Sequence, residues 1–230
     1  MKPKLTQSGL KAVVTPIFWI ALMGFAFFIA AGSISIARAW IYIGLYLISS
    51  LVSSFILYIK TPDLLNDRGA KKQGTKKADT FLLASYFIFA IIITPIIAGL
   101  DYRYKTTLLS NTYLYFGLFL LVISAIITTW AMLSNKFFEG TIRVQTEKEH
   151  EVINTGLYKI VRHPGYTGII IGSLAMPLSL GSLLSFIPCL IAIIIIILRT
   201  YYEDISLQKE LNNYSKYCQE VKYRLVPFIW

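Results

Sequence analysis

Cysteine and histidine are almost missing from this chain of 230 residues, which has two of each: Cys189, Cys218, His150 and His163. One cysteine falls in an apolar run and the other in a polar C-terminal segment, so neither is placed for a disulfide in an oxidising compartment. So sparse and dispersed a set offers no metal-ligand spacing. Charge is also scarce, at 15% of residues, and lopsided, with 22 Lys and Arg against 12 Asp and Glu. Internal repeats and low-complexity linkers are absent. What remains is apolar: 56% hydrophobic residues and a mean hydropathy of +0.62. An ordinary soluble domain is excluded.

The apolar residues come in long blocks. Residues 13–36, 39–59, 81–100 and 113–133 each reach the roughly 20 residues needed to cross a bilayer core. The first run is too long for a signal-peptide core, and no small-residue cleavage site follows it. Residues 166–198 are too long for one span, and Pro177 and Gly181 divide them into the two arms of a helical hairpin. Only helices or closed barrels satisfy backbone polar groups in lipid. The expected fold is therefore all-α: a polytopic helical membrane protein with four spans and a C-terminal hairpin. Residues 1–133 would form an N-terminal transmembrane part and 134–230 a core that carries the chemistry.

The net charge of +10 could suggest nucleic acid, but the placement of the basic residues argues against it. Segments 1–12, 60–80, 134–165 and 199–230 hold 19 of the 22 Lys and Arg, while the other side keeps Arg38, Arg103 and Lys105. This is the positive-inside pattern, so both termini and the loops 60–80 and 134–165 are expected to face the cytoplasm. The basic excess also favours anionic lipid heads, and no separate basic domain exists to bind nucleic acid. In loop 60–80, Pro62, Gly69 and Gly74 discourage a continuous helix. The short loop 101–112 reads as structural.

Segment 134–165 differs in kind. It carries both histidines, four glutamates and a β-branched patch from Thr141 to Val144, and its length suggests a folded loop over a site. Pro164 suits the first turn of a helix. His163 and Tyr166, three apart at that helix start, could aim at one polar ligand, near N–H groups that favour anions. Arg162 beside them is commonplace at a membrane boundary, and a lone histidine is more often structural. Further on, Arg199 and Glu203 share a helical face, as an interfacial ion pair or as part of a site. Arg199 could equally be a snorkelling flank, and Asp204 points roughly 100° away from Glu203. Residues 199–230 begin with a helical pattern that puts Leu207, Leu211 and Tyr214 on one side. The polar clusters bracket the hairpin and together point to a site for a charged ligand at the membrane surface.

The run Arg162-His163-Pro164-x-Tyr166-x-Gly168, preceded by His150-x-Val152-Ile153-x-x-Gly156-x-Tyr158, resembles the isoprenylcysteine carboxyl methyltransferase family. The resemblance continues through Arg199-Thr200-x-x-Glu203-Asp204-x-x-Leu207 to Tyr214, Tyr217 and Tyr223-Arg224-Leu225-x-Pro227. Thr61-Pro62-Asp63-Leu64-Leu65-x-x-Arg68 is similar to the Asn-Pro-Glu-Leu-Leu loop of its prokaryotic members. It implies a membrane enzyme that uses S-adenosylmethionine. By that resemblance Gln145, His150, Glu151, Val152, Ile153, Tyr158, His163, Pro164, Gly165, Tyr166 and Glu203 contact the cofactor, and Arg199 holds a substrate carboxylate. Asp204 in place of the usual second Glu, and Leu157 where Pro is frequent, are departures.

A carboxylate attacking a sulfonium methyl needs no strong base, so alignment and exclusion of water would supply most of the rate. An amine acceptor, as in a phospholipid N-methyltransferase, would need Glu203 or Asp204 as base. The expected acceptor is a lipophilic small molecule or lipidated partner, with the carboxylate of an isoprenylcysteine-like substrate favoured. Two other classes compete. One is an NADPH-dependent reductase of the sterol reductase type, although no extra basic cluster near Glu203 suggests a 2′-phosphate pocket. The other is a non-enzymatic scaffold, which would have lost His163 and Glu203. Oligomeric state is not legible.

Overall fold

In the computed structural model, which describes residues 4–70 and 77–230, the chain is helical, and no strand occurs among the described residues. Helices α1 (Gln7–Ala31) and α2 (Ala37–Lys60) are followed by a short α3 (Pro62–Gly69). The next span is α4 (Lys77–Phe87), a π-helical turn (Ile88–Ile93) and α5 (Thr94–Tyr104) in one continuous rod. Then come α6 (Asn111–Ser134), α7 (Pro164–Leu180), α8 (Phe186–Glu210) and α9 (Tyr214–Glu220). Among the described residues, α1, α2, the α4–α5 rod, α6 and α8 are long and apolar enough to cross a membrane, and α7 is a shorter apolar helix. The chain is thus a polytopic helical membrane protein.

The apolar residues divide into two sets. Met23, Phe27, Tyr42, Leu180 and Ile196 are fully buried between helices, whereas Phe18, Phe25, Ile48, Phe55, Phe119 and Ile194 stay on the outside of the bundle. Outward apolar faces are what lipid requires. The helices pack closely where side chains are small. At Gly168 the Ser124 hydroxyl donates to the carbonyl at 2.7 Å, and a Cβ built there would lie 2.3 Å from Thr128 Oγ1.

Two of the prolines within the apolar helices, Pro95 and Pro177, are accommodated differently. Pro95 cannot donate, and the π turn before it lets Thr94 bond back to Phe89 O through both its backbone N–H and its hydroxyl, the latter at 2.7 Å. Pro177 does not divide the hairpin, contrary to expectation. It lies within α7, and the Cys189 thiol donates at 3.2 Å to Ser173 O, the carbonyl left without its helical donor. The chain turns at Gly181, which has φ +78° and caps α7. The second arm, α8, runs on past residue 198 to Glu210, in keeping with the helical pattern that opens residues 199–230, so Arg199 and Glu203 sit inside a continuous helix. Leu211 caps it and Tyr214 opens α9, yet both pack with Leu207 in one cluster.

One end of the bundle gathers the sequence-poor loops. There Arg38 donates to Ser179 O, Leu178 O and Leu109 O, neutralising the C-terminal end of α7. Asp101 accepts from the Thr106 hydroxyl, the Thr107 backbone and hydroxyl, and Ser182 Oγ, tying loop 101–112 to the hairpin turn. The other end holds α3, segment 135–163 and residues 211–230. Loop 60–80 is helical over α3, because Pro62 begins that helix and Gly69 ends it. The remaining breaker of that loop, Gly74, lies outside the described residues.

Candidate active site

The polar site is built from four segments at the second end: the start of α4, loop 135–163, the first turn of α7, and α8 from Arg199 onward. Proline at the first position of α7, preceded by His163, starts that helix where a missing N–H costs nothing. The tail then pins the entry. Arg162 N–H donates to Tyr223 O and His163 N–H to Arg224 O, both at 2.9 Å, and Thr167 Oγ1 donates to Leu225 O. The backbone of Arg162 and His163 is thereby fixed to the tail.

Glu203 and Asp204 face different partners, as their angular separation requires. Asp204 is completely buried and accepts from Arg162 Nε (2.9 Å) and Nη2 (3.1 Å), Arg224 Nε (2.8 Å), Tyr214 Oη (3.0 Å) and Gln208. Two guanidinium groups and two neutral donors repay its desolvation. Arg162 also donates to Val221 O and Lys222 O, so it is a structural hub and not a loose boundary cation. Glu203 instead remains a quarter exposed toward a cavity and accepts from the Tyr166 hydroxyl. His163 stands between the two carboxylates, its Nε2 3.3 Å from Asp204 and its Nδ1 4.0 Å from Glu203, and its ring stacks on Tyr166.

Of the residues expected in the site, His150, Glu151, Val152, Ile153, Tyr158, His163, Gly165, Tyr166, Arg199 and Glu203 line one cavity of about 230 Å³. Tyr158 is buried, which pushes its phenol up, and its oxygen accepts from Asn135. At Gly165 a Cβ would sit 2.4 Å from the Phe138 ring, so only glycine lets that ring close the wall. Gln145 and Pro164 are not brought to the cavity. Gln145 is buried behind it, donating to Phe137 O and offering its N–H to His150 Nδ1 at 3.3 Å. Burial holds the His150 imidazole below its usual range. The Glu151 carboxylate turns outward to Lys136 at 2.8 Å, both more than 60% exposed.

Arg199 does not pair with Glu203. Its Nε lies 2.6 Å from Asp79 Oδ1 at the start of α4, its Nη2 2.6 Å from Gly140 O, and its guanidinium lies over the Tyr166 ring at 5.3 Å. Asp79 was not read as a site residue from the sequence. Its signal was a lone carboxylate opening an otherwise apolar span, the kind of intramembrane charge that calls for a partner.

Behind this site a second cavity of about 620 Å³ runs between α1, α2, α4–α5, α6, α7 and α8. Arg68, Tyr86, Phe87, Phe138 and Ile169 line both cavities, so the two adjoin. The larger one is mainly apolar, with hydroxyls from Tyr42, Tyr46, Ser49 and Ser50 on its walls.

The chain is similar to known proteins over the segment from α6 to α8, which carries most of these residues. Residues 117–209, from α6 to the end region of α8, match the model of the isoprenylcysteine carboxyl methyltransferase (ICMT) family. A probable protein-S-isoprenylcysteine O-methyltransferase of Oryza sativa subsp. indica is 30% identical over 122 residues, 50% of this chain and 61% of that protein. Protein-S-isoprenylcysteine O-methyltransferase B of Arabidopsis thaliana is 27% identical over 121 residues, 50% of this chain and 59% of that protein. The Delta(14)-sterol reductase TM7SF2 of Mus musculus is 29% identical over 94 residues, 40% of this chain but 22% of its own length. The match thus spans about three-fifths of the plant relatives.

Proposed function

We propose that this chain, whose residues 117–209 match the model of the isoprenylcysteine carboxyl methyltransferase family, is a member of that family and an integral-membrane methyltransferase that transfers the methyl of S-adenosylmethionine to a lipophilic acceptor. The favoured acceptor group is the carboxylate of an isoprenylcysteine-like molecule. One observation carries the reading: a cavity rich in charged side chains, Glu203 and Arg199 among them, adjoins a larger cavity between the spans whose lining carries few charges. A water-soluble donor and a lipid-soluble acceptor need such neighbouring compartments.

The residues present fit that donor. Glu203, turned to the cavity and oriented by Tyr166, is suited to an ammonium group. His163 and the backbone from His150 to Ile153 offer hydrogen bonds and apolar contact to the rest. At about 230 Å³ the cavity that holds Glu203 is smaller than the roughly 300 Å³ at which ligand pockets begin, so the donor would need adjoining space as well. S-adenosylmethionine supplies an electrophilic methyl on a positively charged sulfur. The acceptor carboxylate oxygen forms the new C–O bond as the S–C bond breaks. The electron pair stays on sulfur, and a methyl ester and a neutral thioether result. No proton moves, so the protein's task is alignment beside Arg199 and exclusion of water. The basic-rich end, with both described chain ends and the site, is assigned to the cytoplasm by its excess of Lys and Arg.

The test is ligand binding by the detergent-purified protein. S-adenosylhomocysteine should bind and NADPH should not. Binding of NADPH alone would move the chain to the reductase class, of which the mouse relative is one. Binding of neither would leave a scaffold.

A further inference from the structure

Arg199 would be a loose cation at a lipid boundary if nothing held it. Here it is 4% exposed and its side chain is gripped from two directions. Asp79 takes Nε at 2.6 Å and reaches Nη2 at 3.4 Å, while Gly140 O takes Nη2 at 2.6 Å. The same carboxylate accepts the backbone N–H of Ile142 at 2.8 Å. One buried acid therefore joins three segments: α4, the loop over the site and α8. Its grip falls on one edge of the guanidinium. Among the described residues no hydrogen bond from Nη1 is found, which leaves that nitrogen for a ligand, with the Tyr166 ring 5.3 Å from the guanidinium carbon. Asp79 also lies outside residues 117–209, so it is not among the residues that the family match covers.

We propose that Asp79 is the positioning residue for Arg199: it fixes the guanidinium so that only its Nη1 side meets the acceptor's anionic group. The inference rests on the methyl-transfer reading. Pairing with Asp79 also cancels the charge that Arg199 would otherwise bring to an empty site. Arg199 can then stay protonated and oriented in a poorly solvated place, and the acceptor completes its hydrogen bonds without rearranging them. Loss of Asp79 should accordingly harm acceptor use and spare the donor, whose ammonium partner Glu203 lies on another turn.

The experiment compares the unmutated protein with Asp79→Asn, Asp79→Glu, Arg199→Gln and the Asp79→Asn/Arg199→Gln double variant. It measures S-adenosylhomocysteine affinity, and methyl transfer from S-adenosylmethionine to N-acetyl-S-farnesylcysteine. Asn keeps Oδ1 but points an amide N–H at two donors, so the grip fails. Asp79→Asn and Arg199→Gln should each lower kcat/KM for the acceptor by about a hundredfold, the effect of a misplacement of about 1 Å, with S-adenosylhomocysteine affinity within about threefold. The double variant removes a charge pair, not one partner. It should unfold at a higher temperature than either single variant and lose no more activity than Arg199→Gln alone. If Asp79→Asn does not fold, Asp79→Glu retains the charge but pushes the guanidinium away, and it should still lose acceptor kcat/KM. Losses that add in the double variant would show that Asp79 acts apart from Arg199, and unchanged turnover in Asp79→Asn or Asp79→Glu would also overturn the proposal. If the unmutated protein binds no S-adenosylhomocysteine, the methyl-transfer reading itself falls; if it binds but does not methylate this probe, the carboxylate acceptor falls. Either result takes the role of Asp79 with it.

Discussion

Glu203 and Asp204 are neighbours in the chain and do unlike work, because α8 sends them about 100° apart. Glu203→Gln should weaken S-adenosylhomocysteine binding by roughly 1–3 kcal/mol, the cost of a lost charge-assisted hydrogen bond, and leave the unfolding temperature near that of the parent. Titration calorimetry checks it, and unchanged affinity would remove Glu203 from the site. Asp204→Asn should do the reverse, since it strands Arg162 and Arg224 beside a neutral amide. A loss of about 3–5 kcal/mol is expected for breaking one side of a buried charge cluster, read as a fall in unfolding temperature in detergent. His150 adds a pH dependence. Burial holds its folded pKa below the ordinary 6.5, so the opened loop binds a proton more readily than the folded one. Loop stability is therefore full above about pH 6.5 and declines as pH falls below it toward the folded value. Glu139, Glu147 and Glu151 oppose this shift more weakly than burial produces it, and Arg143 adds to it. Amide exchange at Gln145, corrected for its intrinsic pH dependence, should quicken between pH 7.5 and 5.5. In His150→Phe, which keeps the contact with the Phe137 ring, the quickening should vanish.

At the scale of elements, the hairpin turn is the test of how the far end is held. Gly181 adopts φ +78°, and a Cβ there would lie 2.0 Å from Arg38 Nη1. Gly181→Ala should cost about 1–2 kcal/mol from the backbone alone, and more because Arg38 must release the last carbonyls of α7. Thermal unfolding measures it, and no change would mean that the turn repacks freely. The same element shows where sequence reading works and where it stops. Two apolar arms and a glycine between them are visible in the order of residues. Which of Pro177 and Gly181 turns the chain is not, since a proline is tolerated inside a helix once a partner such as Cys189 satisfies the freed carbonyl. Nor does periodicity reveal the π turn before Pro95, because insertion of one extra residue leaves an all-apolar run equally apolar.

For the whole molecule, the distribution of basic residues puts loop 101–112 opposite the site. Single cysteines at Lys105 and Lys216, both exposed, should label from opposite faces of sealed vesicles, with Lys216 reached from the cytoplasmic side. Labelling from one face would overturn the topology, and the cytoplasmic site with it. Spans and hairpin were legible in the sequence, because hydropathy and charge are sums over local residues and the bilayer imposes a length on every span. That His163 and Tyr166 lie side by side was legible for a related reason: they are three apart at a helix start. The pairing of Arg199 could not be read that way. Spacing offered Glu203, four residues on, but the packing of α4 against α8 brought Asp79 from 120 positions away. Gln145 and Asp204 were likewise assigned by tertiary structure, one to support the loop and the other to two arginines. A buried charge takes whichever partner packing delivers, and only the assembled bundle decides which that is.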